Sequence, residues 1–370
     1  MEGRGLKTLS SINTSTYMQR RFFLKYLALG AAGLVCHPNE MYASTSDLQK
    51  SSKIKPIVGS WIEFQHHSEE EGGGWNKHLA KFTKEQWRRK IFEMKEIGME
   101  YLVLMSVASG DKAFYPSKLA PKFQLGCDDP VEAVLSAAGG SGIKFFVSND
   151  FWGNLNAYEM MLDKEVQKKR FQSMEELTAR YAHHTSFYGW YFPNEAQLQP
   201  YFIDACVDYV NKCAEVAQSL TPNCVNLIAP YFIKEAKFDD YFVSQLEKMN
   251  IDIIAYQDGV GVNHTQLEDS ARFFEILYKA HEKASRARLW ADMELFYFEK
   301  GDRGNLLPAD FNKRIIKQME NISPYVDKIL CYQYIGIMNK PGTNIIVGPY
   351  NETTKLYNQY LTWYTDNINV

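Results

Sequence analysis

Two glutamates about a hundred residues apart each close an apolar run, Tyr188-Gly189-Trp190-Tyr191-Phe192-Pro193-Asn194-Glu195 and Leu289-Trp290-Ala291-Asp292-Met293-Glu294. An acid that ends a parallel strand stands at the C-terminal rim of an α/β sheet, where such folds place their sites. Two carboxyl groups flanking one anomeric carbon can split a glycosidic bond. One lends a proton to the leaving oxygen and the other acts in its ionised form from the opposite side. Their separation sets the stereochemistry, roughly 5 Å for retention and 6.5–9.5 Å for inversion.

The elements that must position these acids follow from the apolar pattern. Runs rich in Val, Ile, Phe and Tyr predict strands over 57–63, 101–107, 144–149, 188–192, 224–230, 252–257, 289–295 and 328–334. Amphipathic segments between them predict helices, the first opened by the capping box Thr83-Lys84-Glu85-Gln86 and closed by Gly98. The others are expected over 130–138, 165–183, 201–220, 239–249, 267–284, 308–321 and 353–366. Eight strand-helix alternations without hairpin turns imply right-handed parallel crossovers that close into a (β/α)8 TIM barrel. A doubly wound sheet would carry a glycine-rich phosphate loop after its first strand. Gly72-Gly73-Gly74 comes too late and opens no helix, so it is read as a loop.

In such a barrel every strand end contributes to one site. Strand one brings Trp61, Glu63 and Gln65; strand three, Asn149 and Asp150 with Trp152 after them; strand four, Tyr191, Asn194 and Glu195. Strand six brings Tyr256, Gln257 and Asp258, strand seven Glu294 and Phe296, and strand eight Gln333. Amides and carboxylates suit sugar hydroxyls, and aromatic faces suit the C–H face of a pyranose. Asp258, before Gly259, reads equally as a turn residue, and Asp292 shares a strand face with Glu294. The pairs His66-His67 and His183-His184 lack the i, i+4 or His-x-His spacing of a metal site, and the second pair ends a helix, where imidazole caps carbonyls. Neither metal nor cofactor is expected.

The Asn194-Glu195 pair on strand four, with Glu294 on strand seven, resembles the pattern of the large barrel clan of retaining glycoside hydrolases. That resemblance implies Glu195 as acid/base, Asn194 as partner of the substrate 2-hydroxyl, Glu294 as nucleophile and Tyr256 as the tyrosine that orients it. The clan's arginine near the second strand has no counterpart in Leu104-Met105-Ser106-Val107. Over most of the chain, Gly59-Ser60-Trp61, Trp87 through Gly98, Gly189-Trp190-Tyr191, Gln257-Asp258-Gly259-Val260-Gly261 and Trp290 with Glu294 and Phe296 are similar to a family of exported bacterial barrel proteins, the DUF4434 type. This resemblance implies a glycosidase-like protein without naming a substrate; the partner expected from the glycosidase reading is an oligo- or polysaccharide. The alternative is a barrel that binds glycans without cleaving them.

At the N-terminus, Gln19-Arg20-Arg21-Phe22-Phe23-Leu24-Lys25 and the weakly apolar run after it resemble a twin-arginine export signal. The organisation expected is a signal over 1–43, a linker over 44–55 and the barrel over 56–370, with the protein in the periplasm or at the cell surface. Cys36 is a possible lipid anchor; no segment is long and apolar enough to span a membrane. The later cysteines lack the spacing of a disulfide framework and read as buried thiols. A net charge of -3, with no long basic run, argues against a nucleic-acid partner.

Overall fold

The computed structural model describes residues 53–154, 156–193 and 197–368. Eight parallel strands close a barrel in sequential order: β1 Ile57–Ile62, β2 Tyr101–Leu104, β3 Lys144–Ser148, β4 Phe187–Tyr191, β5 Val225–Ile228, β6 Ile253–Gln257, β7 Arg288–Glu294 and β8 Lys328–Tyr332, the last pairing with the first. Eight helices cover it: α1 Lys84–Glu96, α2 Pro130–Ser141, α3 Lys164–Tyr181, α4 Asp204–Leu220, α5 Asp240–Lys248, α6 Ser270–Ala284, α7 Ile316–Ile322 and α8 Tyr350–Asn367. All eight expected strands form, in the expected order. The expected signal over 1–43 and Cys36 lie outside the described residues, as does most of the linker. Among the described residues no helix is long and apolar enough to cross a membrane.

Period-2 alternation sorts each strand into two packed layers. Tyr101 and Val103 join Trp61, Phe146, Tyr191, Leu227, Ala255, Trp290 and Leu330 in one cluster that fills the barrel. Leu102 and Leu104 face the helices with Ile254, Ala291, Met293 and Cys331. The glycine in β4 is required by close approach: a Cβ on Gly189 would stand 1.9 Å from the Val225 carbonyl oxygen of the neighbouring strand. Cys127, Cys206, Cys213, Cys224 and Cys331 are free thiols, four of them buried.

Local signals place the helices. Thr83 and Gln86 exchange both capping-box bonds, at 3.3 and 3.0 Å. Asp129 caps α2 ahead of Pro130, whose missing N–H costs nothing at a first helical position. The first strand and last helix of the barrel meet where Tyr360 of α8 bonds both the N–H and the carbonyl of Ile57, each at 3.0 Å.

Three departures from expectation arise in the loops. Short hairpins form at Ala108–Ser109 with Lys112–Ala113 and at Phe296–Phe298 with Leu306–Pro308. The expected 308–321 helix therefore starts later, as a π-helical turn Phe311–Ile315 capped by Asp310, because Pro308 is held in the hairpin. A further short helix, Ala157–Leu162, follows β3.

Candidate active site

The barrel register sets Glu294 of β7 beside Tyr332 of β8 at the C-terminal rim, with β1 next in line. Glu63, just past β1, accepts from Trp75 Nε1 at 2.9 Å and Gln333 Nε2 at 2.8 Å, with the Tyr332 hydroxyl at 3.4 Å. Burial pushes the Glu63 carboxyl up, and these donors pull it partly back. Phe296 packs edge-on to Tyr332 at 6.0 Å, which carries the wall from β8 to the loop after β7.

Glu294 itself is buried and accepts from Val262 N at 2.9 Å. Its carboxyl is pushed up to about 8, first by burial and then by the neighbouring Asp258 carboxyl, while Val262, Gly261 and the Arg314 charge pull the other way. Asp258 is better supplied: Gln318 Nε2 donates at 2.6 Å and the Val260 and Glu294 amides at 3.2 Å each. Burial raises the Asp258 carboxyl as well, and these three donors pull against that rise, so the two acids titrate as a pair. Arg314, from the π-helical turn, donates to the Glu294 and Phe296 carbonyls at 2.9 and 2.7 Å. It places a cation behind both acids. Sequence reasoning found no arginine at the second strand and missed this one, whose only signal is its position in a helix after strand seven.

The rim thus joins Glu63, Gln333, Phe296, Glu294 and Asp258. Gln257 beside them is half-buried and donates to the Ala229 carbonyl at 3.1 Å. Gln65 turns into its own loop, bonding the Phe64 and Asn76 carbonyls. Trp61 and Tyr191 lie deeper, packed edge-on at 5.8 Å within the barrel filling. Asn194 and Glu195 lie outside the described residues.

Four of the expected contacts turn away from the mouth. Tyr256 faces the helix layer, its hydroxyl 3.0 Å from His281 Nε2 of α6, so it does not orient Glu294. Asp150 is sealed in a pair with Arg170 of α3 at 2.7 Å, both fully buried. Asn149 donates to Cys213 Sγ of α4, and Trp152 to Ser173 Oγ of α3. These strand-three residues fail as rim contacts because α3 and α4 supply partners that a sequence pattern cannot show. They have a different use. Arg170 stacks over Tyr209, whose hydroxyl donates to the Pro193 carbonyl at 2.6 Å, so this buried network braces the chain just before Asn194.

A closed barrel of eight parallel strands wrapped by helices is the (β/α)8 fold. The chain belongs to the DUF4434 family, described as a domain of unknown function, whose model matches residues 57–344. No curated protein matches it. Among solved structures it is similar to a Bacteroides thetaiotaomicron protein provisionally assigned as an alpha-L-fucosidase, at 15% identity and a TM-score of 0.65 over 90% of this chain and 100% of that one. The Rhizomucor miehei endo-1,4-beta-mannanase matches at 10% identity and 0.52, over 84% and 95% of the two chains. A GH2 beta-galacturonidase from Eisenbergiella tayi matches at 12% and 0.52, over 85% of this chain and 51% of that one. At such identities the likeness is one of fold.

Proposed function

We propose that this protein is an exported glycoside hydrolase that cleaves an oligo- or polysaccharide at the barrel mouth by a retaining mechanism. Glu195 is the acid/base, Glu294 the nucleophile and Asn194 the partner of the substrate 2-hydroxyl. The observation that carries the reading is Glu294: a buried carboxyl at a strand end, raised to about 8, beside a second acid and a half-buried arginine. A carboxyl tuned to that range can hold or release a proton near neutral pH, which ordinary surface glutamates do not do. Glu63, Gln257 and Gln333 supply the acceptors and donors that sugar hydroxyls require.

The raised Glu294 supports a second reading in which the roles are exchanged. A nucleophile must be ionised, whereas a carboxyl that keeps its proton at pH 7 is suited to protonate the leaving oxygen. Aryl glycosides with good and poor leaving groups separate the two. Loss of the proton donor spares a good leaving group, and loss of the nucleophile spares neither. Under the first reading Glu294→Gln loses turnover on both substrates by on the order of 10²–10⁴, and Glu195→Gln loses it mainly on the poor one. The opposite pattern exchanges the roles. A wild-type protein that binds glycans from a broad panel and cleaves none would leave the barrel as a binding protein.

A further inference from the structure

Outside the rim, the helix layer gathers three metal-ligating side chains. Glu132 lies in the first turn of α2, and His183 and His184 follow the last residue of α3. His184 Nε2 stands 2.8 Å from Glu132 Oε2, and the two imidazole rings are 4.2 Å apart between centroids, inclined by 35°. One donor atom from each of the three residues lies within 4.8 Å of the other two. The sequence predicts imidazoles that cap the end of α3. Instead the His184 ring reaches across to α2, and Glu132, some fifty residues earlier, supplies the third ligand that an adjacent histidine pair lacks.

We propose that Glu132, His183 and His184 bind one divalent cation of the Zn²⁺ class. Two imidazole nitrogens and one carboxylate oxygen form a zinc donor set, with a fourth position left for water. Ligands 2.0–2.1 Å from a tetrahedral centre stand about 3.3 Å apart. The donor spacings, 2.8 Å between His184 and Glu132 and none above 4.8 Å, bracket that value. His183 is exposed, and His184 and Glu132 are half-buried, so an ion reaches the site from solvent. The C-terminal carbonyls of α3 present the negative end of its dipole to the cation. Asp129, which caps α2, adds negative charge nearby and is partly offset by Arg180. The bound ion would fasten α2 to α3 at a point that uses no residue of the rim, so this inference stands apart from the hydrolase reading.

Titration calorimetry of the tag-free full chain with zinc chloride, alongside thermal melts, tests it. Wild type is expected to bind one Zn²⁺ per chain and to melt higher in its presence, with no response to Mg²⁺ at equal concentration. Glu132→Gln also changes the contact with His184 between the helices, so it reports on the fold as well as on the site. The exposed His183 carries the decisive variant: His183→Ala should keep the metal-free melting temperature while weakening Zn²⁺ binding by about tenfold or more. Absence of zinc binding by wild type overturns the proposal. So does binding that is unchanged in both His183→Ala and Glu132→Gln.

Discussion

The proton on Glu294 has a thermodynamic signature independent of any substrate. Its ordinary value of 4.5 rises to about 8 on folding, so between those limits the native chain binds more protons than the unfolded one. Stability therefore falls as pH rises through that window, and the penalty is complete above about pH 8. Glu294→Gln, which mimics the protonated group, should match wild type near pH 4 and be more stable at pH 8 by on the order of a few kcal/mol. Melting temperatures measured across that range check this, and a difference independent of pH would refute it. At this scale the sequence disclosed that Glu294 ends a strand, because an apolar run that stops at Glu is visible in one dimension. It did not disclose that Asp150 meets Arg170 or that Tyr256 meets His281, since a polar residue next to a strand end can turn either way. The partner that decides the matter lies on a helix many residues on.

Between strands, the loop after β6 meets the Glu294 carboxylate with backbone donors at Gly261 and Val262. A Cβ on Gly261 would stand 2.6 Å from the Phe296 carbonyl oxygen and 2.9 Å from the Glu294 carboxylate. Gly261→Ala must displace one of them, and we expect loss of turnover by about tenfold or more with the fold retained, read from activity and circular dichroism. The brace behind β4 is tested by Arg170→Ala, which leaves Asp150 buried without its cation. Denaturant unfolding should show a loss of about 3–5 kcal/mol. Long periodic elements were legible in the sequence to within a few residues, and capping chemistry at Thr83 fixed one boundary. The two hairpins were not, because strands of two or three residues carry no usable periodicity.

Across the whole molecule, the order of eight strands was readable because alternation of strand and helix admits few topologies. The shape of the mouth was not, being set by loops and by Arg314 rather than by the repeating pattern. Barrel closure depends on the first and last elements of the barrel: β1 pairs with β8, and the Tyr360 hydroxyl satisfies the backbone of Ile57. Tyr360→Phe leaves both Ile57 groups without that partner and should cost about 1–3 kcal/mol in chemical denaturation, with little change in a ligand assay at the rim. That clasp also has a bearing on biosynthesis. A growing polypeptide emerges with β1 well ahead of β8 and α8, so one edge of β1 stays unpaired until those late elements are made. A ribosome-bound fragment without them would therefore offer chaperones a sticky, incomplete cylinder, and the barrel closes only once β8 has emerged.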